Sequence, residues 1–280
     1  MIVAPRFPIR LLALDIDGTL VGDDIILRPR THAAIGAALR RGVAVSLATG
    51  RMASSALTFA EELGLREPII AYQGALIRAM PVRGDLRIGR LLVHTPLAVP
   101  VAREAVEWSR ARGLDPHLNH LERFIIREDD PKADDYSQFL GARAELVRNL
   151  SEAIVHPVSK VLAVGDDQAT MDAFLEARVR FAGRADVTIS HPRFLEFVAP
   201  GVSKGRAVRW LARRLGIPLE QVMAIGDQRN DLEMIAAVGH GVAMPTAPAE
   251  VLAVARYVAP PVEEEGAAEM IERLVLRRRR

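Results

Sequence analysis

Short apolar runs alternate with amphipathic stretches at the start of the chain. Leu11–Leu14 is apolar throughout and reads as a buried strand. Residues 31–41 place Ala34, Ile35, Ala38 and Leu39 at helical spacing, and Gly42 supplies the stop. Residues 43–47 read as a second strand, 54–63 as a second helix and Ile69–Ala71 as a third strand. Strands alternating with helices predict βαβ units and a parallel sheet. The middle of the chain changes character. Residues 84–93 alternate as a strand, and 97–112 form an amphipathic helix carrying Val101, Ala105 and Trp108. Asp115–His120 and Arg123–Arg127 read as paired strands, followed by a charged stretch at 128–138. Lys160–Val164, a helix at 168–177 and the segment 187–190 complete a mixed region that predicts a separate α+β insert. The last third returns to the first pattern. A helix at 204–215, capped by Ser203 and ended by Gly216, precedes a strand at 222–225. Leu232–Ala237, a strand at 241–243, a helix at 249–255 and Tyr257–Val258 follow.

Composition narrows the function classes. The chain has 280 residues, half of them apolar, which is enough to bury a sizeable core. It has no cysteine, which excludes disulfides, thiolate zinc sites, iron–sulfur clusters and cysteine nucleophiles. No apolar run approaches the roughly 20 residues of a membrane helix. The first residues lack the charged and apolar regions of a signal peptide. A cytoplasmic protein is therefore expected, without a membrane partner. The 37 basic and 35 acidic residues leave a net charge of +2. The basic residues are spread along the chain, so no nucleic-acid partner is expected. The run Arg277 to Arg280 reads as a solvated helix end, where cations suit the dipole. Of the 37 basic residues, only Lys132, Lys160 and Lys204 are lysines.

Polar residues gather just after the predicted strands. Asp15-Ile16-Asp17-Gly18-Thr19 follows the first, where open α/β sheets bind ligands. Residues two apart in an extended segment face one way, so Asp15 and Asp17 share a crevice. Their charges repel, and a divalent cation relieves this; hard oxygen ligands favour Mg²⁺. Thr49-Gly50-Arg51 follows the second strand and offers a hydroxyl and backbone N–H groups to an anion. Lys204 opens a helix, where the dipole disfavours a cation unless an anion lies nearby. Its being a lysine, in a chain that otherwise uses arginine, suggests that a compact charge is wanted there. Gly226-Asp227-Gln228-Arg229-Asn230-Asp231 puts a dense group of carboxylates and an amide at another strand end.

This combination, in this order, resembles the haloacid-dehalogenase-like superfamily. Asp15-x-Asp17-Gly18-Thr19 is similar to its first motif, Thr49-Gly50-Arg51 to its second, Lys204 to its third, and Gly226-Asp227-x-x-Asn230-Asp231 to its fourth. Gly201-Val202-Ser203-Lys204-Gly205, Met234 and Gly241-Val242-Ala243-Met244 resemble the Cof-type phosphatases of subfamily IIB. The resemblance implies an α/β fold: a doubly wound parallel-sheet, Rossmann-like core of residues 1–82 plus 193–280, with an inserted α+β cap domain at 83–192. It implies a phosphoric monoester hydrolase acting on a small-molecule phosphate ester, with Mg²⁺ as cofactor. Asp15 would be the nucleophile and Asp17 the proton donor and acceptor. Asp15, the Asp17 carbonyl and Asp227 would hold the metal. Thr49, Gly50, Lys204 and Asn230 would bind the phosphoryl group, and Asp231 would orient Lys204 or a metal-bound water. Gln73, where Asn is usual, and Pro245-Thr246, where Gly-Asn is common, depart from the pattern and are expected beside the site.

Phosphotransfer to a sugar and a phospho-ligand-binding, receiver-like role use similar residues. A proton donor two residues after the phosphorylated Asp argues for hydrolysis over the receiver reading. His117 and His120 are expected on the cap surface rather than as a metal pair. Asp129-Asp130, Asp134-Asp135 and Asp166-Asp167 read as solvated turns and caps, Asp23-Asp24 as a loop, and Trp108 and Trp210 as packing residues.

Overall fold

A computed structural model describes residues 7–82, 88–130 and 143–277. The first residues of the chain, part of the predicted 84–93 strand, most of the 128–138 stretch with Asp134-Asp135, Lys132 and the end of the arginine tail lie outside them. In chain order the elements are β1 (Leu11–Leu14), α1 (Pro29–Arg40), β2 (Ala44–Leu47), α2 (Ala53–Glu62), β3 (Ile69–Ala71), β4 (Leu76–Arg78), β5 (Leu91–His94) and α3 (Val99–Arg110). Next come β6 (Asp115–His120), β7 (Arg123–Arg127), β8 (Ala144–Val147), α4 (Leu150–Ala153), β9 (Lys160–Val164), α5 (Asp167–Arg180), β10 (Asp186–His191) and β11 (Phe194–Val198). The chain then forms α6 (Lys204–Arg214), β12 (Val222–Gly226), α7 (Leu232–Ala237), β13 (His240–Ala243), α8 (Ala249–Val254), β14 (Tyr257–Val258) and α9 (Gly266–Ile271).

Five parallel strands form the main sheet, in the order β14-β13-β12-β1-β2. Every residue of β1 is buried, as a strand covered on both faces must be. Its side chains alternate between two cores. Leu12 and Leu14 meet Ile35, Phe59 and Met270, whereas Leu11 and Ala13 meet Val208, Leu211 and Met234. Helices therefore cover both faces, and the core is doubly wound. Helix α1 begins earlier than its apolar spacing indicates, because Pro29 is pre-set for a first turn. Gly42, at φ +77°, takes the left-handed turn that ends it.

A second, six-stranded sheet runs β10-β11-β9-β6-β7-β8, antiparallel except for the β7–β8 pair. Helices α3 and α5 pack on it through Ala105, Trp108 and Phe174, joined by Phe181 just past the end of α5. Trp108, Phe181 and Phe197 meet edge to face at centroid distances of 5.0–6.0 Å. The paired β6 and β7 have the bounds their patterns predict.

Some expectations change. Ile69–Ala71 enters an antiparallel three-stranded sheet with β4 and β5, joined to the β2 end by one Ala48–Ile70 bridge. β4, β8 and β11 had no clear sequence signal. The first two are three- and four-residue strands. In β11, Glu196 interrupts an apolar run and is nonetheless buried. The β10–β11 hairpin lies wholly in the six-stranded sheet, on both sides of the 192/193 boundary. Among the described residues, no helix is long and apolar enough to cross a membrane.

Candidate active site

The C-terminal ends of β1, β2 and β12 open on one cavity. Asp15 follows β1 directly, and its N–H donates to the Ile225 carbonyl at 3.0 Å, fixing it beside β12. Asp227 follows β12, and Gly50 follows the β2 end. Helix α6 starts at Lys204, with the Ser203 hydroxyl accepting from the Arg206 N–H at 3.1 Å as the predicted cap.

Lys204 is the pivot of the site. It is 0% exposed, and its ammonium lies 2.8 Å from Asp15 Oδ1 and 2.7 Å from Asp231 Oδ1. The other Asp231 oxygen accepts from the N–H groups of Asp227 and Gln228 at 3.0 and 3.1 Å. Asp231 thus joins Lys204 to the loop after β12. A Cβ on Gly226 would stand 2.3 Å from the Asp231 carboxyl carbon, so only glycine lets this loop close. A Cβ on Gly18 would stand 2.3 Å from Asp227 Oδ2.

Negative charge is in excess here. Ligand oxygens of Asp15, Asp227 and Asp231 all lie within 4.8 Å of one another, around a single ammonium. Burial, and next the Asp231 charge, push the Asp15 carboxyl up to about 8. Burial, and next the Asp15 charge, hold Asp227 well above the usual carboxylate range. Burial works against the Lys204 ammonium, but Asp15 and Asp231 outweigh it and raise its pKa. Asp227 Oδ1 is buried without a hydrogen-bond partner. A hard divalent cation fits this donor set: it would take the orphaned oxygen and relieve the crowded charge. With Asp231 already engaged, Asp15 and Asp227 are the carboxylates left to hold it.

Asp17 faces the same cavity, and Arg51 grips its carboxylate with both arms of the fork, Nε at 2.8 Å and Nη2 at 2.5 Å. Arg51 was expected only as part of a motif; the structure gives it this specific partner. Thr49 is fully buried under the loop, its hydroxyl accepting from the Arg51 N–H at 3.1 Å. Gly50, rather than the Thr49 side chain, reaches the cavity wall. Asn230 donates to Gln73 Oε1 at 3.0 Å, leaving Asn230 Oδ1 and Gln73 Nε2 buried and unpartnered. Gln73 is thus in direct contact with Asn230, beside the cavity that Asp15 lines. A Cβ on Gly50 would come within 2.4 Å of Gln73 Nε2, which ties this pair to the second motif. Thr246, of the other departing pair, lines the cavity.

The six-stranded sheet adds two residues that motif reading missed. Lys160 donates to the Gly50 carbonyl and to Glu196 Oε2, both at 2.9 Å. A signal for Lys160 was present, since it is one of three lysines among 37 basic residues. Glu196 left none, because nothing in the sequence pairs residues 36 apart.

Other polar residues are corrected or placed. His117 is not at the cap surface: it is buried, with Nε2 3.2 Å from Asp130 Oδ2 and 3.8 Å from Asp115 Oδ2. Burial lowers its pKa, but bonds to those carboxylates more than offset this, and the net shift is upward. Asp130 is accordingly buried rather than solvated. Asp166 is the N-cap of α5, accepting from the Ala169 N–H at 2.8 Å. Asp24 pairs with Arg28, and Asp23 reaches the cavity rim.

Residues 12–271 match the family model of the haloacid dehalogenase-like hydrolases. The chain belongs to that family. An HMP-PP phosphatase of Serratia proteamaculans is 32% identical over 239 residues, covering 84% of this chain and 83% of its own. A haloacid dehalogenase-like hydrolase of Bacteroides thetaiotaomicron superposes with a TM-score of 0.79 at 28% identity, covering 95% of this chain and 99% of its own. A subclass IIB sugar phosphatase of the superfamily has the same fold, with a TM-score of 0.78 at 21% identity over 94% of this chain and 98% of its own.

Proposed function

We propose that this hydrolase is a Mg²⁺-dependent phosphatase of small phosphorylated metabolites, sugar phosphates or similar phosphomonoesters, working through an aspartyl-phosphate. As a member of its family, it is a phosphoric monoester hydrolase. The observation that carries the finer reading is the Lys204 ammonium 2.8 Å from Asp15 Oδ1, with Asp15 itself lining a cavity of about 510 Å³. Lys204 holds the attacking oxygen in place and offers positive charge to the incoming phosphoryl oxygens. An Asp15 oxygen attacks phosphorus, and the bond to the leaving oxygen breaks. Asp17, steadied by Arg51, gives that oxygen its proton and later takes one from the attacking water. That water adds to phosphorus, releasing orthophosphate and restoring the Asp15 carboxylate. The N–H of Gly50 and the Asn230 side chain contact the phosphoryl oxygens, with Thr49 supporting the loop. Asp15, the Asp17 carbonyl and Asp227 would hold Mg²⁺, which would supply Lewis-acid screening of the negative charge at the reacting centre.

The division into a catalytic core, residues 1–82 plus 193–280, and a cap, residues 83–192, is part of the same proposal. Strand pairing supports crossing points nearer Leu97 and Ala199, since β5 pairs with β4 and β11 with β9. The reading sets the enzyme in the cytoplasm, acting on diffusible esters, with neither nucleic acid nor membrane as partner.

The test is orthophosphate release from p-nitrophenyl phosphate and a metabolite panel. Activity will vanish in EDTA and return with excess Mg²⁺. Ca²⁺ will not replace Mg²⁺, because its looser shell engages the carboxylates differently. Full activity in chelator would refute the metal's part. No orthophosphate from any ester would favour a phospho-ligand-binding role.

A further inference from the structure

Asn230 stands between two cavities. It lines the one that Asp15 lines and also a second, of about 680 Å³, whose wall includes Gln73 and Lys204. Packing therefore leaves the direction of its amide open. Among the described residues its side chain makes one hydrogen bond, from Nδ2 to Gln73 Oε1 at 3.0 Å. Gln73, by contrast, is fixed by its backbone. Tyr72 and Gln73 sit at φ +49° and +60°, a left-handed conformation that few residues other than glycine adopt. Such strain persists only where the surroundings impose it. Here the Tyr72 N–H donates to the Arg51 carbonyl and the Gln73 N–H to the Thr49 carbonyl, both at 3.1 Å. The Tyr72 hydroxyl donates to the Leu121 carbonyl at 2.6 Å. A Cβ on the next residue, Gly74, would stand 2.5 Å from the carbonyl oxygen of Ser203, the N-cap of α6. One turn thus touches the second motif, the start of the Lys204 helix and, through the Gln73 side chain, Asn230. Gln73 is 2% exposed, and its Nε2 is buried beside Gly50 without a hydrogen-bond partner. An unpaired buried donor is destabilising. Methionine, of similar length, would fill the space without one, so packing does not account for an amide here.

We propose that Gln73 is a positioning residue for phosphoryl transfer, and that it acts through Asn230. Its Oε1 takes one of the two Asn230 amide protons and so turns the other toward the phosphoryl oxygens. The inference rests on the phosphatase reading, in which Asn230 binds the phosphoryl group, and it names the residue that aims that amide. The strained turn supplies what such aiming needs, an acceptor whose own place does not shift. Side-chain length matters as well. Asparagine at this position is one methylene shorter, and its oxygen falls out of hydrogen-bond range of Asn230. An amide aimed in advance contributes most where negative charge grows, on the phosphoryl oxygens in the transition state. Loss of the aim therefore falls on kcat rather than on KM.

The test is a double-mutant cycle on the full-length enzyme with Mg²⁺, using p-nitrophenyl phosphate or the best ester found. Wild type, Gln73→Met, Asn230→Ala and the double variant are compared, and melting curves confirm that each is folded. Gln73→Met is expected to lower kcat about tenfold, the scale of one hydrogen bond, with KM changed by less than about threefold. Inhibition by orthovanadate, which takes the shape of the transition state, weakens by a similar factor. Gln73→Asn behaves like Gln73→Met and not like wild type. In the Asn230→Ala background Gln73→Met costs less than about twofold more, because residues that act as a unit are not additive. If Gln73→Met does not fold, Gln73→Asn takes its place in the cycle with the same expectations. A tenfold loss that persists in the Asn230→Ala background overturns the proposal, since Gln73 would then act on the loop rather than on Asn230. So does a Gln73→Met enzyme within twofold of wild type, or a loss confined to KM. Each of these leaves the phosphatase reading standing. An Asn230→Ala enzyme as active as wild type removes Asn230 from the phosphoryl site, and this inference with it. No orthophosphate from any ester with the wild-type enzyme defeats the phosphatase reading itself.

Discussion

Asp15→Asn will abolish turnover, lowering kcat by roughly 10⁴-fold or more, the scale of losing a nucleophile. An amide neither attacks phosphorus nor ligates Mg²⁺ well. The loss will not come from unfolding. Asp15 is buried, and its carboxyl is raised from 3.8 to about 8, first by burial and then by Asp231. A carboxyl whose folded pKa lies above its unfolded value costs stability progressively as pH rises between the two. The amide carries no such cost. In the metal-free protein at pH 8, thermal unfolding of the variant will therefore come at or above the wild-type midpoint. Steady-state kinetics and a melting curve check both halves. Activity within tenfold of wild type would remove Asp15 from its role.

Lys204→Ala will lose on the order of 10²–10³ in kcat, the usual cost of one preorganised charge-stabilising group. It will also destabilise the fold by roughly 3–5 kcal/mol, because it strands buried carboxylates. Lys204→Arg will not rescue turnover. The ammonium is 0% exposed and touches Asp15 and Asp231 at 2.8 and 2.7 Å, one oxygen on each of two separate carboxylates. A planar guanidinium is wider, and its fork suits both oxygens of one carboxylate. The chain uses arginine at nearly every other basic position, so the comparison is a sharp one. An arginine variant as active as wild type would reduce Lys204 to a generic cation.

The main sheet and the motif residues were legible because their signals are local. Leu11–Leu14 is apolar because both its faces are covered, and Asp15 follows it without a gap. Lys204 stood out by its type and its helix-start position. What stayed hidden depends on pairs remote in sequence. Gln73 meets Asn230 across 157 positions, and Lys160 meets Gly50 across 110. Glu196 looked like an interruption of an apolar run, yet its charge is buried against Lys160. His117 misled in the same way: a polar residue in a strand reads as exposed unless its carboxylate partners are known. Strand Ile69–Ala71 has the composition of a parallel strand and keeps one parallel bridge, Ile70 to Ala48, while its tight return to Leu76 pairs it antiparallel with β4.

The central claim is that Asp15 becomes covalently phosphorylated during turnover. The most direct measurement is rapid acid quench during turnover with Mg²⁺ and the best ester found, followed by mass spectrometry of the peptide containing Asp15. The account predicts a phosphoryl adduct on Asp15 that forms within the first turnover, decays as fast as orthophosphate appears, and is absent from Asp15→Asn. Turnover at full rate with no adduct at any quench time, or an adduct on a residue other than Asp15, would contradict it.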